Sequence, residues 1–214
     1  EWKAMVADKA ARTTFAKNIK TVLEKNKLDG IDLDFEWAEN EKEYKDYSLA
    51  ILKMREVLGD KYLFSVSLHP VCYKISKEAI EAVDFISLQC YGPSPVRFPI
   101  EKYCSDIQMV LEYGIPKEKL VAGVPFYGVT KDNSKKTEAY FNFVQNGLVT
   151  SPAQNEVIYQ GDTYVFDGQD NIRIKTRYAK EQKLKGMMSW DLATDLPLSD
   201  SRSLLKTMTE ELRE

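Results

Sequence analysis

The sequence predicts an α/β fold in which βα units line up around a parallel sheet. Two observations carry this. Short apolar or alternating stretches recur between longer stretches whose apolar residues fall at helical spacing, and that alternation forms βα units. The borders also carry helix-end residues: lysines or a glycine where a helix should stop, and a serine where one should start.

Taken in order, AARTTFAKNIKTVLEKNK (10–27) reads as a helix with Phe15, Ile19, Val22 and Leu23 at apolar positions and lysines at its end. GIDLDFEW (30–37) follows as a strand. EKEYKDYSLAILKMREVLGD (41–60) is a helix with Tyr47, Ala50, Ile51, Met54 and Leu58 on one face. YLFSVSLHP (62–70) is a strand, and SKEAIEAV (76–83) a short helix with Ser76 as N-cap. DFISLQCYG (84–92) is a strand, followed by the helix IEKYCSDIQMVLEYG (100–114), which Gly114 closes. LVAGVPFYG (120–128) is a strand; IRIKTRYAKEQKLKG (172–186) is a helix, GMMSWDL (186–192) a strand, and SRSLLKTMTEELRE (201–214) a final helix. The long connection 129–172 holds a helix near KKTEAYFNFVQNG and a hairpin in NEVIYQGDTYVFDG.

Composition narrows the classes. The chain of 214 residues is 43% hydrophobic and 29% charged, as in ordinary globular proteins. With a net charge of −3 and no large basic cluster, it offers no nucleic-acid surface. No apolar run approaches the ~20 residues of a membrane span. The opening EWKAMVADKAARTTF has no apolar core of a signal peptide. Cys72, Cys90 and Cys104 lack metal-ligand spacing and read as small buried hydrophobes.

The chemistry concentrates in LDGIDLDFEW (28–37). Strand parity sets Asp32, Asp34 and Glu36 on one face, about 6.6 Å apart along the chain. Ile31, Leu33 and Phe35 take the other face. Three readings fit these residues. A solvated edge strand is one, though helices usually cover both faces of a parallel sheet. A Mg²⁺ or Ca²⁺ site is the second, but no further ligands follow nearby. The third is a hydrolytic site. Close carboxylates in a poorly solvated place share a proton, and a neutral carboxyl at pH 7 is a general acid.

LDGIDLDFE also fits, at every position, the signature of glycoside hydrolase family 18: hydrophobic, Asp, Gly, hydrophobic, Asp, hydrophobic, Asp, any residue, Glu. Four further stretches resemble that family in its own order. MVADKAARTTFAKNIKTVLEKNKLDG looks like its third helix, FISLQCYG like its sixth strand, VAGVPFYG like its seventh and KGMMSWDLATD like its eighth. The resemblance implies a (β/α)8 TIM barrel, here incomplete, with strands 4 to 8 present. Residues 1–214 would form one N-terminally truncated catalytic barrel domain, with 129–172 as a small insertion after the seventh strand. A whole barrel typically needs ~250 residues. An open barrel with exposed apolar strand edges is the corresponding expectation.

The family resemblance implies cleavage of β-1,4 N-acetylglucosaminidic bonds with retention, by substrate-assisted catalysis. Glu36 would protonate the glycosidic oxygen. Asp34 would hydrogen-bond the acetamido N–H of the substrate, and Asp32 would share a proton with Asp34. Tyr91 would orient the acetamido carbonyl. Trp190 would floor the sugar site, with Gln89 and Tyr127 as further sugar contacts. Asp29, of opposite parity, would be structural, and Trp37 would lie in the wall. His69, at a strand's carboxyl end, reads equally as a polar terminator or a ligand. No cofactor or metal is implied. The partner would be an N-acetylglucosamine-containing polysaccharide or glycan, with no nucleic acid and no membrane, and a full-length form would be secreted or periplasmic. The sequence says nothing of oligomeric state.

The departures from the family pattern are Gly92 where many members carry an acid, Phe35 where many have Trp, and Trp37 where many have Tyr. With the short insertion they imply a shallow cleft. Two alternatives stand beside the main reading: an endo-β-N-acetylglucosaminidase acting on N-glycans or peptidoglycan, and a non-hydrolytic chitin-binding lectin.

Overall fold

The computed structural model describes residues 1–92, 98–132 and 136–213. It divides into two units, Glu1–Leu88 with Val110–Leu120, and Gln89–Met109 with Val121–Glu214. Lys135, the first residue of the stretch KKTEAYFNFVQNG, and Glu214 lie outside the described residues.

The first unit begins with α1 (Trp2–Ala7) and α2 (Lys9–Asn26). Asp8 separates them: its backbone is extended and its side chain accepts the Ala11 N–H, capping α2. The buried stripe of α2 is Arg12, Ala16 and Leu23, while Val22, expected on the core face, is exposed. β1 (Gly30–Asp34) is followed by α3 (Glu41–Leu58), whose Tyr47, Ala50, Ile51, Met54 and Leu58 are all buried, as the helical spacing predicts. β2 (Leu63–Leu68), α4 (Lys77–Ala82) and β3 (Phe85–Leu88) complete its regular elements. Ser76 caps α4 by accepting the Ala79 N–H. β1 pairs in parallel with β2, and β2 with β3.

Gly30 has a spatial reason to be glycine. A Cβ there would stand 2.2 Å from the Leu63 carbonyl oxygen on β2, and backbone cannot yield. Gly30→Ala is expected to cost about 1–3 kcal/mol, measured by urea denaturation. Unchanged stability would mean that the two strands part freely.

Arg55 clamps two connections of this unit, α3 to β2 and α4 to β3. It donates to the Ala82, Gly59 and Tyr62 carbonyls and to Asp84, which also accepts the Phe64 N–H. Burial alone would raise the Asp84 carboxyl, but the Phe64 amide and the Arg55 guanidinium together hold it below its ordinary value. A depressed carboxyl stabilises the fold above its unfolded pKa, near 4, and loses that contribution as pH falls through the folded value. Asp84→Asn should therefore be less stable than wild type at pH 7, and the gap should close below about pH 4. The side chain is 40% exposed, so water screens the effect and keeps it small. Denaturation at stepped pH reads the gap; one that stays constant into acid would remove Asp84 as the titrating group.

Beyond β3 come α5 (Ile100–Tyr113), β4 (Leu120–Pro125), β5 (Tyr127–Thr130), β6 (Thr137–Ala139) and α6 (Tyr140–Gln145). β7 (Glu156–Tyr159), β8 (Asp162–Val165), α7 (Gln169–Glu181), β9 (Gly186–Trp190) and α8 (Leu204–Arg213) follow. Gly114, at φ +110, ends α5. In the second unit β4 pairs in parallel with β9, from Val121 opposite Gly186 to Pro125 opposite Trp190. β6, β5, β8 and β7 form a separate antiparallel sheet in that order. The helix and hairpin expected within 129–172 are α6 and β7–β8. The stretch VAGVPFYG, however, is two strands rather than one, broken at Phe126. Phe126 N–H binds the Trp190 carbonyl, while the Phe126 carbonyl accepts from Tyr140 N–H. Phe143, Phe166 and Tyr140, all buried, pack this sheet's core.

The described parallel strands number five, β1, β2, β3, β4 and β9, against eight in a complete barrel. Among the described residues no helix is long and apolar enough to cross a membrane. The three cysteines are free thiols; Cys72 and Cys90 are buried and Cys104 is half-buried.

Candidate active site

The candidate residues lie at or just past the carboxyl ends of parallel strands, which is the functional end in βα architectures. In the first unit they sit on β1. Alternation holds through its end: Leu33 and Phe35 are buried, and Asp32, Asp34 and Glu36 face away from them. The apolar side is anchored by Phe35, whose ring lies 4.7 Å from that of Tyr47 and 6.3 Å from that of Trp2. Tyr47 also donates to the Leu33 carbonyl at 3.2 Å.

The acidic side has partners that the sequence reading passed over. Parallel register sets Asp32 opposite Ser65 and Asp34 opposite Ser67. Ser65 donates its hydroxyl to Asp32 Oδ1 at 2.5 Å, and Ser67 to Oδ2 at 2.7 Å. Both carboxylate oxygens are therefore engaged and the side chain is oriented. The signal was present in SVS, where two serines at period two fall on the strand next to the acids.

One expectation is corrected here. Asp32, Asp34 and Glu36 are exposed in this structure, not held in a poorly solvated interior. Their unit contains three parallel strands with β1 at the edge, and a lumen requires a closed ring of strands. Among the described residues no group of three His, Cys, Asp or Glu side chains is placed to hold a metal ion.

Glu36 lies past the end of β1, in a segment without regular structure that leads to α3. Asn40 caps α3 by accepting the Glu43 N–H, and Glu43 accepts the Glu39 N–H at 2.8 Å. Trp37 is half-buried, with its ring 5.3 Å from that of His69. His69 is itself buried, and its Nδ1 accepts the Val71 N–H. It closes a turn rather than facing solvent. Asp29 precedes β1, and its carbonyl accepts the Leu63 N–H, a structural role.

The second unit holds Gln89, Tyr91, Tyr127 and Trp190. Gln89 and Tyr91 are buried just beyond β3. The Tyr91 hydroxyl meets the Met188 sulfur at 3.9 Å, and its ring stands edge-on to Tyr127 at 6.3 Å. Phe98 packs on the same Tyr127 ring at 6.0 Å. A thioether is a weak acceptor. Met188, in the stretch GMMSW, is another residue whose part no local pattern signals. Trp190 ends β9 and is 57% exposed, so its indole is available as a stacking surface. The peptide bonds Glu36–Trp37 and Trp190–Asp191 are both cis.

Parallel strands alternating with helices, with polar or aromatic side chains at the strand carboxyl ends, define an α/β architecture. Comparison with known proteins names the family. The chain belongs to the glycosyl hydrolases family 18, whose model matches residues 1–195. It is 23% identical over 258 residues to a probable chitinase 2 of Drosophila melanogaster, covering 91% of this chain and 53% of that protein. The chain thus spans about half the length of that curated relative. Among solved structures it resembles a family 18 chitinase from the chitin utilization locus of Flavobacterium johnsoniae. That match has 26% identity and a TM-score of 0.82 and covers 99% of this chain and 69% of the other. A chitinase-like agglutinin of Robinia pseudoacacia shares the fold at 18% identity and a TM-score of 0.83, covering 99% of this chain and 76% of that one. The fold is accordingly that of the family's TIM barrel, present without a closed barrel.

Proposed function

We propose that the chain is the catalytic part of a chitinase-like glycosidase. It would cleave β-1,4 N-acetylglucosaminidic bonds in chitin or its oligomers, with retention and with the substrate's acetamido group as nucleophile. The observation that carries this is the acidic face of β1, with Asp32, Asp34 and Glu36 in alternation and Glu36 at the carboxyl end. Glu36 donates its proton to the leaving oxygen as the acetamido carbonyl attacks the anomeric carbon. Asp34 accepts a hydrogen bond from the acetamido N–H and balances the positive charge of the oxazolinium ion. Asp32, oriented by Ser65 and Ser67, tunes Asp34. Tyr91 donates its hydroxyl to the acetamido carbonyl oxygen and fixes its angle of attack. Trp190 stacks beneath the sugar, with Gln89 and Tyr127 as additional contacts. The short 129–172 insertion favours a shallow cleft and internal cleavage.

The test offers a chitin oligosaccharide and a free N-glycan in parallel, with products read by mass and anomeric form by NMR. Cleavage of the oligosaccharide to products of retained anomeric configuration is expected. Cleavage of the glycan alone would make the protein an endo-β-N-acetylglucosaminidase. The Robinia agglutinin, named as chitinase-like, favours a second reading as a non-hydrolytic sugar-binding protein. Binding of the oligosaccharide without any cleavage would select it.

A further inference from the structure

Residues 35–39, which include Glu36, have no backbone ladder, so other contacts must hold them. Upstream, Phe35 is locked against Tyr47. Downstream, the Glu39 N–H is held by Glu43. Between these anchors the contacts come from one turn after β2. The Ala38 N–H donates to Cys72 Sγ at 3.3 Å, and the Trp37 ring lies against His69. The turn is braced from within, since His69 N–H donates to the Cys72 carbonyl at 3.2 Å and Cys72 N–H to the His69 carbonyl at 2.7 Å. It is braced from α3 as well, by the Tyr44 hydroxyl on the Val71 carbonyl at 3.2 Å. His69 is 3% exposed and Cys72 1%, so neither is open to a sugar. Burial pushes the Cys72 thiol up; the Ala38 amide and the Tyr44 hydroxyl oppose this and the Asp34 and Glu36 carboxylates add to it, with a net rise that keeps the sulfur a neutral acceptor.

We infer that the turn from His69 to Cys72 is the positioning element of the acid-bearing segment, with the Cys72 sulfur fixing the backbone that sets Glu36. This rests on the proposed glycosidase reading. Cys72 is here a positioning residue: it acts through Ala38 and touches no substrate. A misplaced acid costs turnover more than binding, because proton transfer occurs only in the transition state.

The experiment compares wild type with Cys72→Ala, Cys72→Ser and Tyr44→Phe. Ala38 amide exchange is measured by NMR, and kcat and KM on a chitin oligosaccharide. Cys72→Ala should lose Ala38 protection and about 10- to 100-fold in kcat with KM little changed. Serine, which keeps an acceptor, should restore both. Tyr44→Phe keeps the ring but removes the hydroxyl that braces both the Val71 carbonyl and the Cys72 thiol, and should cost about 2- to 10-fold in kcat; it carries the test if the alanine variant does not fold. Unchanged Ala38 protection, a loss confined to KM, or failure of serine to rescue would overturn the inference. A wild-type chain that cleaves nothing would overturn the functional reading instead, and Ala38 exchange would then decide the positioning role by itself.

Discussion

Replacing Glu36 by glutamine is expected to lower turnover of an N-acetylglucosamine oligomer by about 10²- to 10⁴-fold. Oligomer affinity should stay close to that of wild type. The amide matches the carboxyl in shape but cannot deliver a proton to the leaving oxygen. The loss falls on the transition state, where that proton moves, and so appears in kcat. The fold should not suffer, because Glu36 is exposed and its neighbours Phe35 and Trp37 carry the packing. Steady-state kinetics with a matched binding titration checks both halves. A variant that cleaves like wild type would remove Glu36 as the acid. One that loses binding in equal measure would make it a sugar contact.

Lys175→Met should produce the largest loss of stability. Lys175 on α7 donates to Asp167 Oδ2 and to the Phe98 carbonyl, and its ammonium lies 5.5 Å from the Tyr103 ring centroid. The two charged side chains are 2% and 0% exposed. Burial holds the Asp167 carboxyl above its ordinary value, and the Lys175 ammonium and the Asn171 amide offset that only in part. Removing the lysine leaves a carboxylate with no counter-charge in a dry site, a loss of about 3–5 kcal/mol. For a chain of this size that lowers the thermal midpoint by about 6–20 °C. The companion Lys175→Met/Asp167→Leu removes both charges and should recover much of the loss, since apolar replacement of a whole buried pair is often neutral. A double variant no better than the single one would mean that packing, and not the stranded charge, sets the cost.

The βα order and the apolar face of α3 were legible because periodicity reports which way a residue faces on its own element. The same logic separated Asp32, Asp34 and Glu36 from Leu33 and Phe35. What was not legible depends on partners distant in sequence. Ser65 and Ser67 meet Asp32 only because the β1–β2 register brings them opposite, and register is decided by packing across the sheet. The Lys175–Asp167 pair joins a helix lysine to an aspartate at the end of the hairpin stretch, and each reads alone as an ordinary surface charge. The break at Asp8 was missed because the run before AARTTF lacks an obvious stop, although Asp is a favoured cap. The solvent exposure of the acids lay beyond any local pattern, since it depends on how many strands surround them.

Phe126 carries a consequence for evolution and for engineering. It is a one-residue joint between two sheets: its N–H belongs to the parallel pair that ends in Trp190, and its C=O to the antiparallel module starting at Tyr127. Material hung from such a joint is modular. Residues beyond it are free to lengthen, shorten or change sequence, while the backbone beneath the indole stays registered by Pro125 opposite Trp190. The antiparallel module can thus vary as a cassette without disturbing the register of β4 with β9.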